Sequence, residues 1–189
     1  ARTMLTLDNY KQDSVNTIFT LAAPHTLPPV AFDPTVARIY DSVNRYWEQS
    51  FSQDLIGRNP LASVAVISIA GGSLDHMIPS ELTSLAATIP PSNGFTVHSH
   101  SIPHVWMGID HQAIVWSDQF RKVFARAILE IVNIASSQKT KSLPERMSVF
   151  RKHFLGGYNS PDLSNYIHEK YHPTIGGSLN NNNESTFMP

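Results

Sequence analysis

"LASVAVISIAGGSLD", residues 61 to 75, decides how this chain is read. From Leu61 to Ala70 the run is apolar on both faces, broken only by Ser63 and Ser68. A strand with one wet face alternates polar and apolar residues, whereas one covered by helices on both sides does not. The stretch therefore predicts a central parallel strand. It stops at Gly71-Gly72, and the two glycines allow the chain to turn sharply back over the sheet toward Asp75.

Outward from that strand, "VNTIFTLAAP" (15–24) is rich in β-branched and apolar residues, stops at Pro24, and reads as a first buried strand. Ala1 to about Leu7 reads as a helix tail, joined to that strand by the polar link "DNYKQDS". Asp33-Pro34 has the form of an N-cap with proline at the first helical position. Val36, Ile39, Tyr40, Val43, Tyr46 and Trp47 then recur at helical steps as one packing stripe. Past the central strand, "PSELTSLAATI" (79–89) predicts a short helix, and "PPSNG" a turn. "FTVHSHSI" (95–102) alternates as a strand nearer an edge does.

A long helix is expected from Asp110 to about Ala135, its buried side marked by Ile114, Phe120, Val123, Phe124, Ala127, Ile128 and Ile131. "SLPERMSVFRKHF" (142–154) predicts another, with Ser142 and Glu145 as a capping box and Leu143, Met147, Phe150 and Phe154 on one face. From Gly156 onward, Gly, Pro and the Asn180–Asn183 run favour a loose tail. Strand and helix alternate, so the fold class is α/β with a mostly parallel sheet flanked by helices. The expected division is an α/β domain over 1–136 and a helical extension with a flexible Asn-rich tail over 137–189.

The 14 Lys and Arg against 15 Asp and Glu leave a net charge of −1, with basic residues scattered, so nucleic acid is not an expected partner. No apolar run approaches the roughly 18 residues of a membrane-spanning helix. Cysteine is absent, which excludes disulfides and thiolate metal sites.

In parallel α/β sheets, functional residues gather in loops at the carboxyl ends of strands. Those loops are "AAPH", "AGGSLDHMIPS" and "SIPHVWMGIDHQ". Asp75 can accept a proton from an imidazole Nδ1 and fix its tautomer, or it can bond its own backbone as a turn aspartate. His111 follows the next strand, and the order Asp before His is that of the α/β-hydrolases, although a histidine near a helix start is often structural. Asp110 is better explained as an N-cap. His98, His100 and His104 offer a rival reading, a non-catalytic domain binding a metal or partner through imidazoles. His25 and His76 line the cleft or are solvated. Met77, Ile78, Val105, Trp106 and Met107 contact an acyl chain, face a membrane, or cover the core. No Gly-x-Ser-x-Gly elbow occurs in these residues, and Ser73 lies too close to Asp75 to be its nucleophile.

"TLAAPHTLPPVAFD", "ISIAGGSLDHMIPSELTSL" and "GFTVHSHSIPHVWMGIDHQAIVWSDQFRKVFARAIL" resemble, in order and content, the hydrolase domain of the GPI inositol-deacylases. The resemblance runs from Ala1 to about Phe154 and implies an α/β-hydrolase-like fold, of which this chain holds the C-terminal part. In that family the serine elbow runs into a helix ending in an Ala-Arg pair, so "ARTML" implies a fragment that starts just after the nucleophile and is inactive alone. Asp75 and His111 match the family's acid and base.

The implied reaction is metal-free ester hydrolysis, with no cofactor, that removes the acyl chain from the inositol of GPI-anchored proteins. The family's enzymes reside in the endoplasmic reticulum membrane, and their action aids export of those proteins toward the Golgi. The sequon Asn183-Glu184-Ser185 is compatible with a lumenal hydrolase domain.

Overall fold

Strand β2 (Ala65–Ala70) lies between β1 (Thr17–Leu21) and β3 (Gly94–His98) in the computed structural model, which describes residues 1–29, 33–52, 59–136 and 139–156. Both pairings are parallel, with Phe19, Ile67 and Phe95 in register across the sheet. All six residues of β2 are buried, Ser68 included, as a run that is apolar on both faces predicts. β1 is less buried than its composition suggests. It borders only β2 among the described residues, and of its side chains only Ile18 is fully covered.

The pleat of β2 divides the core in two. Ala65, Ile67 and Ile69 face α2 (Asp118–Glu130) and α3 (Leu143–Leu155), while Val66 joins Ile18, Leu61 and Leu85 beneath Val43 and Trp47 of α1 (Pro34–Ser50). The result is a three-layer arrangement of helix, sheet and helices. Phe19 is the aromatic centre of one face, edge-on to Phe124 at 4.8 Å and to Phe150 at 5.1 Å between ring centroids. Because Met147, Phe150 and Phe154 belong to this same cluster, the core continues past 136 to Phe154.

Local signals account for the helix ends. The Asp33 carboxylate accepts from Thr35 N–H at 2.7 Å, with Pro34 opening α1. The Glu145 carboxylate accepts from Ser142 N–H at 2.9 Å, and Gly156 ends α3 in the left-handed conformation at φ 61°. The α1 stripe is narrower than the periodicity predicts: Val43 and Trp47 are buried, but Ile39 is half exposed.

Four expectations are corrected. The segment 79–89 forms only a 3₁₀ turn at Ser80–Thr83, because side chains compete for its backbone. Thr96 Oγ1 accepts from Leu85 N–H at 3.0 Å, and Ser68 Oγ donates to Thr83 O at 2.8 Å. Arg2–Thr6 is likewise 3₁₀. The long helix from 110 is absent, since α2 starts only at Asp118, where the Ser117 hydroxyl accepts from Phe120 N–H, and ends at Glu130. Ile128, expected in the core, is partly exposed. The expected tail beyond 156 and its sequon lie outside the described residues.

Arg146 carries an unanticipated structural role. Buried at the start of α3, its guanidinium donates to Lys141 O, Asn16 O, Thr17 Oγ1 and Ser63 O, tying the helix to the amino ends of β1 and β2. Replacing it with Met keeps much of the volume but strands several buried carbonyls. Arg146→Met is expected to lower unfolding free energy by about 3 kcal/mol in a denaturant titration. A change below about 0.5 kcal/mol would show that water replaces those bonds.

Candidate active site

Asp75 and His111 come together although 36 residues separate them, with His111 Nδ1 3.1 Å from Asp75 Oδ2. Each sits in the loop leaving the carboxyl end of a neighbouring parallel strand, β2 for the acid and β3 for the imidazole. The glycines after β2 make this possible. Gly72 has φ 85°, and a Cβ on Gly71 would lie 2.5 Å from Ile109 O and 2.9 Å from Asp75 Cβ. The close approach is secured by Ile109 N–H donating to Gly71 O at 2.8 Å.

The two sequence readings of Asp75 prove compatible, because its two oxygens divide the work. Oδ1 accepts from the N–H groups of Met77 at 3.0 Å and Ile78 at 2.9 Å, as a turn aspartate does, while Oδ2 faces the imidazole. Its side chain is 1% exposed and that of His111 27%, so the carboxylate is sealed behind a ring that still reaches solvent.

His111 is on a turn, not a helix. The Asp110 carboxylate accepts from Gln112 N–H at 2.9 Å and Ala113 N–H at 3.4 Å, followed by a 3₁₀ turn at Ala113–Val115. The hydrogen bond from Gln112 holds the Asp110 carboxyl below its ordinary value. Asp110 thus caps, as its position suggested, but it caps this turn and leaves α2 to Ser117.

Ser99 escaped the sequence reading. It is fully buried, with Oγ 2.8 Å from Gly71 O and 2.9 Å from Met107 O, so a single hydroxyl links the loops that carry Asp75 and His111. Its only signal is its place between His98 and His100, where a strand was expected to continue; β3 instead ends at His98.

His98 and His100 do share a side. Their rings stack at 5.5 Å with 10° between planes, and His100 Nδ1 packs against Gly72. His104 does not complete a ligand set with them: among the described residues, no group of three or more His, Cys, Asp or Glu is arranged to hold a metal ion. His98, His100 and His104 thus form no such group.

Of the remaining loop histidines, His76 is exposed and His25 is buried. His25 Nε2 lies 2.8 Å from Thr20 Oγ1, and its carbonyl accepts from the Arg2 guanidinium. Burial, helped by the charge of Arg2, lowers its pKa to about 3. The folded form thus resists a proton that the unfolded chain takes up below about pH 6.5, so stability is complete above that pH and declines as pH falls toward 3. Between pH 7 and pH 5 the expected loss from this group is about 2 kcal/mol, and His25→Gln should remove it. Equal pH 7 to 5 losses in both proteins, read by thermal or urea unfolding, would refute the assignment.

The family model described as "PGAP1-like alpha/beta domain" matches residues 1–131. Curated relatives include the GPI inositol-deacylases of Coccidioides immitis (strain RS), 47% identical, and Chaetomium globosum, 48% identical, each over 157 residues. That of Neurospora crassa is 46% identical over the same length. The matches cover 83% of this chain and only 14%, 14% and 12% of the relatives, so the chain spans about one seventh of their length.

Proposed function

The chain belongs to the PGAP1-like alpha/beta domain family, and from that premise we propose that it contributes the acid and base of a GPI inositol-deacylase. The observation that carries the proposal is the Asp75–His111 pair, joined at 3.1 Å at the carboxyl ends of adjacent parallel strands. That is the placement and order in which α/β-hydrolases carry these two groups.

The reaction is ester hydrolysis. A serine outside these 189 residues, hydrogen-bonded to His111 Nε2, attacks the acyl carbonyl on inositol and passes its proton to that nitrogen. As the carbonyl–oxygen bond to inositol breaks, His111 returns the proton to the leaving oxygen. Water then cleaves the acyl-serine by the same route, releasing the fatty acid. Asp75 Oδ2 accepts the Nδ1–H, fixes the tautomer and stabilises the imidazolium. Backbone N–H groups supplied with the nucleophile hold the oxyanion.

The substrate in this reading is an acylated inositol lipid of a GPI-anchored protein, and the place of action is the endoplasmic reticulum, with the domain on the lumenal side and an effect on export. No helix among the described residues is long and apolar enough to cross a membrane. Attachment to the bilayer is assigned to other parts of the longer protein. Purified full-length protein should release fatty acid from an inositol-acylated GPI lipid in detergent micelles. Absence of released acid, with the protein folded, would overturn the proposal.

A further inference from the structure

The buried Ser99 hydroxyl, 2.8 Å from Gly71 O and 2.9 Å from Met107 O, joins two carbonyls that hold equivalent places. Gly71 lies four residues before Asp75, and Met107 four before His111. We propose that Ser99 is a positioning residue for the reaction, whose hydroxyl sets the distance and alignment between the Asp75 carboxylate and the His111 imidazole. This role rests on the deacylase function proposed above.

A hydroxyl carries one hydrogen, so with two carbonyls in reach its bond is shared between the loops. Gly71 O also accepts from Ile109 N–H at 2.8 Å, whereas among the described residues Met107 O accepts from Ser99 alone. Ser99 is therefore what ties down the segment leading into His111 at that point. It has no exposed surface, so water does not compete for the bond. The loops are in contact here, since a Cβ on Gly71 would lie 2.5 Å from Ile109 O and 2.9 Å from Asp75 Cβ. A shift of either carbonyl is thus passed on to the Asp75–His111 contact, which at 3.1 Å is already near the long end of an N–H···O bond.

The test is a double-mutant cycle in the full-length protein, read as kcat and KM for fatty acid release from an inositol-acylated GPI lipid in detergent micelles. Ser99→Ala alone should lower kcat by roughly 10- to 100-fold and leave KM within about threefold, because alignment of the reacting groups is lost and substrate binding is not. In an Asp75→Asn background, where the imidazole already holds the wrong tautomer, the same substitution should cost less than about threefold. Ser68→Ala is the control. Ser68 is also fully buried, with Oγ 2.8 Å from a backbone carbonyl, but that carbonyl is Thr83 O and belongs to neither loop. Its loss should change kcat by less than about threefold in either background.

Thermal unfolding of the same preparations separates misalignment from collapse. Should Ser99→Ala not fold, Ser99→Cys, which keeps a weak donor, is carried through the cycle and should show the same coupling to Asp75. A Ser99 loss that multiplies undiminished with Asp75→Asn would assign the hydroxyl to general stability and overturn the proposal. A folded Ser99→Ala with wild-type kcat would overturn it as well, and either result leaves the deacylase function standing. A wild type that releases no fatty acid would remove both proposals together.

Discussion

His111→Ala in the full-length protein is expected to reduce deacylation roughly 10⁴- to 10⁶-fold, because it removes both the base that activates the nucleophile and the acid that protonates inositol. The fold should survive. His111 lies on a partly exposed turn, and among the described residues its side chain hydrogen-bonds to Asp75 alone. The turn itself is held by backbone groups, the Asp110 carboxylate and the Ile109–Gly71 bond. Fatty acid release and thermal unfolding should be measured on the same preparation. Activity within tenfold of wild type in a folded variant would exclude His111 as the base.

Asp75→Asn should cost about 10⁴-fold in kcat, an effect that follows from the division of labour between the two oxygens. Oδ1 accepts from two backbone N–H groups, so an asparagine must keep its carbonyl oxygen there and turn its NH₂ toward His111. The imidazole then accepts at Nδ1 and carries its proton on Nε2, where the nucleophile requires a free lone pair. The loop should remain in place, since both backbone bonds are kept. A nitrogen-15 spectrum of the labelled imidazole distinguishes this tautomer switch from simple misfolding. If kcat falls but Nε2 stays unprotonated, the proposed cause is wrong.

Asp75→Ala is a useful contrast, because it also abandons the Met77 and Ile78 N–H groups. It should lose stability as well as activity, by about 1–3 kcal/mol.

The central strand was readable because β2 is apolar at every position but Ser68, a pattern with one inexpensive solution, coverage on both faces. The ends of α1 and α3 were readable because Asp33, Ser142 and Glu145 act within a few residues of themselves. Where competing partners came from distant segments, local reading failed. Residues 79–89 carry helix-compatible side chains, but Thr96 and Ser68 reach across from β3 and β2 to take their backbone groups. "IDHQAIVWSDQF" carries two capping signals, Asp110 and Ser117, and apolar periodicity alone does not say that both are used.

The same limit governs the site. By itself the sequence determined an α/β sheet with Asp75 and His111 in loops at its carboxyl end, since strand order and loop position are fixed by hydrophobic pattern and punctuation. Family membership follows from sequence too, from motifs spread along the chain and matched over residues 1–131. Tertiary structure alone decided that the two side chains meet at 3.1 Å, that Asp75 serves its own turn and the imidazole at once, and that His104 does not join His98 and His100 in a metal site. It also revealed Ser99 and Arg146, whose partners lie 28 and 8 residues away in one case and up to 130 in the other. Pattern reports which face of an element is buried; which polar atoms then find one another depends on how separate elements are packed, and that information is not local.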